Sequence, residues 1–254
     1  MNTNRSNQQH SVPTNTVILG SCIDAMREFP ANSIDFTLTD PPYLVNYRDR
    51  NGRSIQNDVN SNWLRPAFSE IYRVLKQDAF CVTFYSWTKV DRFMTAWRNA
   101  GFHAVGHLVF RKTYCSQKRF LCYQHEQAYL LAKESPAMPQ APISDIIEMP
   151  YSGNGLHPTQ KPVAALLPLI ESFSREGGLV LDPFCGSGST LVAAHGLNRR
   201  YLGIELDPKY YEIASQRLRI NNTAHPSARL ASCPSQNPDA SRPQPLFSGA
   251  PMIL

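Results

Sequence analysis

Two short stretches of this chain set chemically capable residues side by side. In the first, Thr39-Asp40-Pro41-Pro42-Tyr43, a carboxylate, two prolines and a phenol follow the apolar run Ile34 to Leu38. Consecutive prolines hold φ at about −65° and remove two backbone N–H donors, so the corner is rigid and rich in acceptors. Such a corner suits an amino group. The Asp40 carboxylate and the Pro41 carbonyl take one N–H each of an aromatic amine, and the Tyr43 ring stacks on the heterocycle. Hydrogen bonds drawn out of the ring plane would pull the nitrogen lone pair from conjugation and make it nucleophilic. The bland alternative is a proline-stiffened turn with a self-satisfied aspartate.

The second stretch is Asp182-Pro183-Phe184-Cys185-Gly186-Ser187-Gly188-Ser189-Thr190, between the apolar run Gly178 to Leu181 and a helical pattern that opens near Ser189. Its glycines let backbone amides approach a ligand, and a helix N-terminus favours a carboxylate or phosphate. Alone, Gly186-x-Gly188 fits any dinucleotide or S-adenosylmethionine site. Downstream, the run Tyr201 to Glu205 ends in an acid, followed by Asp207, where doubly wound folds bind ribose hydroxyls. A nicotinamide enzyme would share that feature.

The elements that must position these loops alternate in type. Strands are expected at Thr16 to Leu19, Ile34 to Thr39, Phe80 to Tyr85, Ala104 to Phe110, Gln127 to Leu131, Gly178 to Leu181 and Arg200 to Glu205. Helices are expected at Ile23 to Phe29, Leu64 to Leu75, Val90 to Ala100, Val163 to Ser174, Ser189 to Leu197 and Pro208 to Leu218. That rhythm predicts an α/β, doubly wound sheet of parallel βαβ units. The Asn/Ser/Gln-rich residues 1–15 read as a disordered segment, residues 16–220 as the folded body, and residues 221–254, interrupted by Pro and Ser, as a flexible tail. Residues 136–162 read as a Pro-rich interruption, and there is no internal repeat.

Length and composition narrow the class. At 254 residues, with 42% hydrophobic and 18% charged residues, the chain suits one large α/β domain of a globular protein. No apolar run approaches the roughly 18 to 20 residues of a membrane span, and the polar N-terminus lacks the apolar core of a secretory signal, so the expected location is the cytoplasm. The six cysteines form no Cys-x-x-Cys pair, which predicts reduced thiols and no metal site. The net charge of +5 fits an anionic partner without requiring one.

DPPY at 40–43, LDPFCGSGST at 181–190 and the connecting His157-Pro158-Thr159-Gln160-Lys161-Pro162 together resemble the amino-methyltransferases of prokaryotic DNA, specifically their β class, in which the catalytic motif precedes the cofactor motif. The likeness spans about residues 16–220 and looks nearest the short orphan methylases of plasmids and phages. It implies a Rossmann-like S-adenosylmethionine-dependent methyltransferase fold with circularly permuted motif order. It also implies double-stranded DNA as partner, compatible with a homodimer. By the same resemblance Asp40, Pro41, Pro42 and Tyr43 are catalytic. The cofactor set is Asp182, Phe184, Gly186, Gly188, Thr190 and Glu205, with Thr159 and Lys161 meeting the cofactor carboxylate. Members usually carry Gly-Asp-Cys after the first strand, near the cofactor adenine; this chain has Gly20-Ser21-Cys22, so Ser21 stands in for the acid.

The implied reaction is direct attack of a flipped-out base amine on the cofactor methyl group, since an amine inside the duplex cannot reach it. An acid at Asp40 favours N6 of adenine, where N4-cytosine enzymes more often carry Ser. The alternatives are an N4-cytosine methylase and a non-catalytic DNA-binding protein with a decayed site. No Pro-Cys dipeptide is present for covalent cytosine-C5 chemistry. DNA contacts are expected from small insertions at about 46–62 and 111–160, through Arg48, Arg50, Arg53, Arg111, Lys112, Lys118 and Arg119, where basic residues interleave with aromatics.

Overall fold

The computed structural model describes residues 11–47, 55–115, 117–118, 120–153 and 155–223. In chain order the sheet strands are β1 (Thr16–Leu19), β2 (Ile34–Thr39), β3 (Leu75–Phe84), β4 (His103–Lys112), β7 (His125–Ala132), β8 (Ile146–Met149), β9 (Leu179–Asp182) and β10 (Arg200–Glu205). A two-stranded ribbon, β5 (Gln117–Lys118) with β6 (Cys122–Tyr123), lies between β4 and β7. The eight strands run in the order β1-β10-β9-β2-β3-β7-β4-β8.

Strand β9 shows why the parallel half is buried on both faces. Leu179 and Leu181 join one apolar cluster and Val180 the other, the continuous run that a doubly covered parallel strand needs. One cluster is closed by α1 (Cys22–Arg27), α2 (Leu64–Val74) and α3 (Val90–Ala100); the other by α4 (Val163–Phe173), α5 (Ser189–Gly196) and α6 (Pro208–Thr223). In α2 the buried side chains are Leu64, Ala67, Phe68, Ile71 and Val74, one helical stripe facing the sheet. The result is the expected doubly wound α/β fold.

The sheet is mixed, however, and not purely parallel. Strand β7 runs antiparallel to both β3 and β4. Among the described residues no helix intervenes between β4 and β7, and strands joined without a crossover return antiparallel. Strand β8, parallel to β4, arises inside the segment read as a Pro-rich interruption. Two boundaries also differ. Val12 packs on the core and Asn15 bonds the backbone of Tyr201 through both its amide and its side chain, so residues 11–15 are anchored to β10 and are not a disordered segment. Helix α6 carries the folded body to Thr223. The rest of the two terminal segments lies outside the described residues. Cys115 and Cys122 are joined as a disulfide across the ribbon, with 5.6 Å between Cα atoms, where reduced thiols were expected. Among the described residues no helix is long and apolar enough to cross a membrane.

Candidate active site

β2 and β9 are hydrogen-bonded parallel neighbours, Phe36 opposite Val180 and Thr37 opposite Leu181. Their carboxyl ends therefore bring Asp40 and the glycine loop together although the two lie far apart in sequence. Together with the loop after β1 and the end of β10 they line a cleft of about 310 Å³, at the small end of ligand pockets. Its walls include Ser21, Asp40, Tyr43, Trp63, Phe184 and Glu205.

The glycine loop is held by backbone bonds. Gly186 (φ 51°) and Gly188 (φ 80°) both take the left-handed conformation, which lets the chain turn sharply into α5. The Gly186 amide donates to Glu205 Oε2 at 2.7 Å, and the Asp207 amide donates to Oε1 of the same carboxylate at 2.9 Å. Glu205 thus ties β10 to the loop from the rim of the cleft, and burial pushes its carboxyl above the usual range against those amides. Asp182 is buried beneath the loop and accepts the Phe184 amide at 3.2 Å. Burial pushes it up to about 7, opposed by the Thr190 hydroxyl and that amide. Beneath the loop Gly203 leaves no room: a Cβ there would stand 2.4 Å from Leu191 Cδ1 and 2.9 Å from Cys185 Sγ. Phe184 meets Trp63 edge to face at 5.1 Å, and the Ser21 hydroxyl caps α1 by accepting the Asp24 amide at 3.4 Å.

The Asp-Pro-Pro-Tyr corner is held by charge. The Tyr43 hydroxyl donates to Asp40 Oδ1 at 2.8 Å, and Lys161 Nζ donates to Oδ2 at 2.5 Å. The same ammonium lies 3.1 Å from Glu126 Oε2, and Glu126 Oε1 pairs with Lys112 Nζ at 2.6 Å. Lys161 also sits over the Phe84 ring at 4.8 Å and the Tyr43 ring at 5.6 Å. Four alternating charges from four segments are thereby gathered with no net charge, the two lysines buried and the two acids partly so. Burial pushes Asp40 up and Lys161 pulls it back, while Glu126 adds to the rise. Burial also raises Glu126, but Lys161 and Lys112 overcome this and hold it down at about 2. The two carboxylates outweigh burial at Lys161 and keep it charged.

Several expected residues have partners within the protein. Lys161, read as a partner of a cofactor carboxylate, lines the cleft with its ammonium paired to Asp40 and Glu126. Lys112 was read as a phosphate contact; it is buried and paired with Glu126, which removes it from the surface that could touch DNA. Arg111 is exposed and bonded to Glu148. Thr159 lines the cleft with its hydroxyl 3.2 Å from His157 Nδ1. Arg48, Arg50, Arg53 and Arg119 lie outside the described residues, and Lys118 is placed only by its backbone in β5. Sequence reasoning missed Glu126, His157 and Tyr210. The His157 ring covers Gly186 and meets Tyr210 at 4.3 Å. A charged residue opening the apolar strand run after His125 was the available signal for Glu126, since an acid inside a sheet needs a partner.

Comparison with known proteins agrees with this arrangement. Residues 34–154 and 148–216 match the family model for N6/N4 methyltransferases, described as DNA methylase. Over 201 residues the chain is 58% identical to YubD of Escherichia coli (strain K12), a methylase by name, covering 79% of this chain and 88% of that one. It is 26% identical over 246 residues to the type II methyltransferase M.HinfI of Haemophilus influenzae, covering 81% of this chain and 68% of the relative. The fold matches the crystal structure of an M1.HpyAVI complex with S-adenosylmethionine at a TM-score of 0.65, with 22% identity over 80% of this chain and 98% of that one. It also matches the cytosine-N4-specific PvuII DNA methyltransferase at 0.67, with 15% identity over 86% and 91%.

Proposed function

The chain belongs to the N6/N4 family of DNA methylases, and from that premise we propose that it methylates N6 of adenine in duplex DNA. The observation that carries this reading is Asp40, a carboxylate at the end of β2 that Lys161 favours in its charged form, one strand from the glycine loop.

The cofactor is S-adenosylmethionine, and the cleft suits it: left-handed glycines at the mouth of α5, an acid at the end of β10 and an apolar wall of Trp63 and Phe184. Glu205, the glycine loop and Ser21 would hold its nucleoside end, and Thr159 lines the same cleft. When bound, it supplies a methyl group on an electrophilic sulfonium. The protein's own residues do the rest. Asp40 accepts one hydrogen of the flipped amine, the Pro41 carbonyl accepts the other, and the Tyr43 ring stacks on the base, offsetting the few kcal/mol of unstacking. As the N–C bond forms and the S–C bond breaks, one amine proton leaves, to Asp40 or to water. Asp40 in place of Ser supports adenine over cytosine.

DNA grip is assigned to Arg48, Arg50 and Arg53, which follow the catalytic motif in sequence, and to Lys118 and Arg119 in the stretch after β4. Supporting this, the exposed Trp87 follows β3 on the same sheet edge and stacks with Tyr123 at 6.5 Å, and Phe120 projects almost wholly into solvent.

The test is tritiated methyl transfer to unmethylated duplex DNA, with the product digested to nucleosides. Wild type should yield N6-methyladenine. Asp40→Ala should lose on the order of 100-fold or more in rate, as preorganised transition-state contacts do, with S-adenosylmethionine affinity falling far less. N4-methylcytosine would keep the mechanism and overturn the substrate. A near wild-type rate in the variant would reduce the corner to a rigid turn.

A further inference from the structure

Both oxygens of Asp40 are capped, one by a neutral hydroxyl and one by an ammonium. A base amine is a neutral donor and cannot compete with an undivided ammonium, because charge-assisted bonds are roughly twice as strong. Lys161 is not undivided. Its second carboxylate, Glu126 on β7, stands 3.1 Å away, and Lys112 on β4 neutralises that carboxylate from the far side. The ammonium can therefore lean from Asp40 to Glu126 without being stranded in a buried site, where an unpaired charge is severely penalised.

We propose that Glu126 is a positioning residue for methyl transfer: by sharing Lys161 with Asp40 it loosens the hold of the ammonium and leaves the catalytic carboxylate open to the target amine. Lys112 sets the balance. The role rests on the methylase reading above, because Asp40 matters here only as the acceptor of an amine. Among the described residues the other titratable groups facing the pair are Tyr43 on the catalytic corner, Asp182 at the end of β9, and Tyr114 beyond β4, whose ring lies 5.8 Å from Lys112 Nζ. None of these is a cation that could replace Lys161.

The sharing predicts opposite effects from two neutralising changes. In Glu126→Gln the ammonium falls wholly to Asp40, so Asp40 titrates lower and its acceptor oxygen is harder to claim. In Lys112→Met the negative charge of Glu126 draws Lys161 away, so Asp40 titrates higher. The experiment follows the Asp40 side-chain carboxyl by carbon-13 NMR across pH in the full-length protein, alongside the pH profile of kcat for methyl transfer. The expected shifts are opposite in sign and on the order of one pH unit each. The acid limb of kcat should move with them, the plateau rate of Glu126→Gln should fall about tenfold, and the double variant should behave as Glu126→Gln does, because Lys112 acts through Glu126.

A purely structural role would lower folded protein or rate without moving the limb in opposite directions. Shifts of the same sign, or none, overturn the proposal and leave the methylase reading intact. If Lys112→Met does not fold, the sign in Glu126→Gln decides: downward supports sharing, upward or unchanged refutes it. Absence of methyl transfer by wild type overturns the methylase reading and the catalytic role of Glu126 with it, whereas the NMR titration still reports whether Lys161 is shared.

Discussion

The loop after β9 and the corner after β2 end neighbouring strands, yet they are fastened by different forces. The glycine loop is pinned by backbone amides on Glu205 and Asp182 and by close packing over Gly203. The Asp-Pro-Pro-Tyr corner hangs on long charged side chains, Lys161 and Glu126, that reach it from α4's leading loop and from β7. Backbone bonds fix a shape, which is what a cofactor shared by every turnover requires. A side-chain ion network fixes a charge but lets its members shift, which suits the proposed admission and release of a base.

That contrast breaks first at Lys161. Lys161→Met strips two partly buried carboxylates of their shared cation, so urea unfolding should show a loss of about 2–4 kcal/mol, somewhat below that of a fully buried pair. Asp40→Asn added to it should recover part of the loss, because one stranded charge is removed. A loss below about 1 kcal/mol would mean that water reaches the network and the charges are screened.

The other fastening should answer to volume instead of charge. Gly203→Ala forces a methyl group against Leu191 and Cys185, with an expected cost of about 1–3 kcal/mol. The loop that carries Cys185 must then move, so calorimetry should show weaker S-adenosylmethionine binding with the Asp40 titration unaltered. If binding survives at full strength, the loop tolerates displacement and packing is not what shapes it.

The smallest effect is expected at the cleft's third wall. Ser21→Asp keeps the cap on α1, since Asp serves there as well as Ser. It also offers the cofactor a charged acceptor, opposed by the cost of desolvating it. Titration should show binding tighter by roughly fivefold, equivalent to about 1 kcal/mol. Equal or weaker binding would show a site adapted to serine.

The two fastenings also differ in how well the sequence shows them. The glycine loop and the Asp-Pro-Pro-Tyr corner are written in consecutive residues, and the strands before them are short apolar runs, so their identity and strand-end placement are legible. The charge network is not local: Lys161 lies 121 positions from Asp40, and its link to Glu126 exists only because β7 turns back antiparallel beside β3. Periodicity marks β4 and β7 as strands but carries no direction, so Lys112 reads as one more basic residue among aromatics. The tie of Asn15 to Tyr201 is hidden for a different reason. Its neighbours are polar, and a single side-chain bond leaves no compositional trace.

The pairing of β2 with β9 also dictates when the protein comes into being. During synthesis β2 emerges early, but the strand that covers its flank follows only after roughly 140 further residues, on the order of ten seconds at ~5–20 residues per second. Until then one edge of β2 offers unpaired amides and carbonyls to any extended chain nearby. The cleft does not exist in that interval, because the glycine loop and Glu205 are still to be made, and Lys161 reaches the corner only near its end. A nascent or truncated chain ending before β10 therefore lacks the site altogether, and activity switches on only as the last strand closes the sheet.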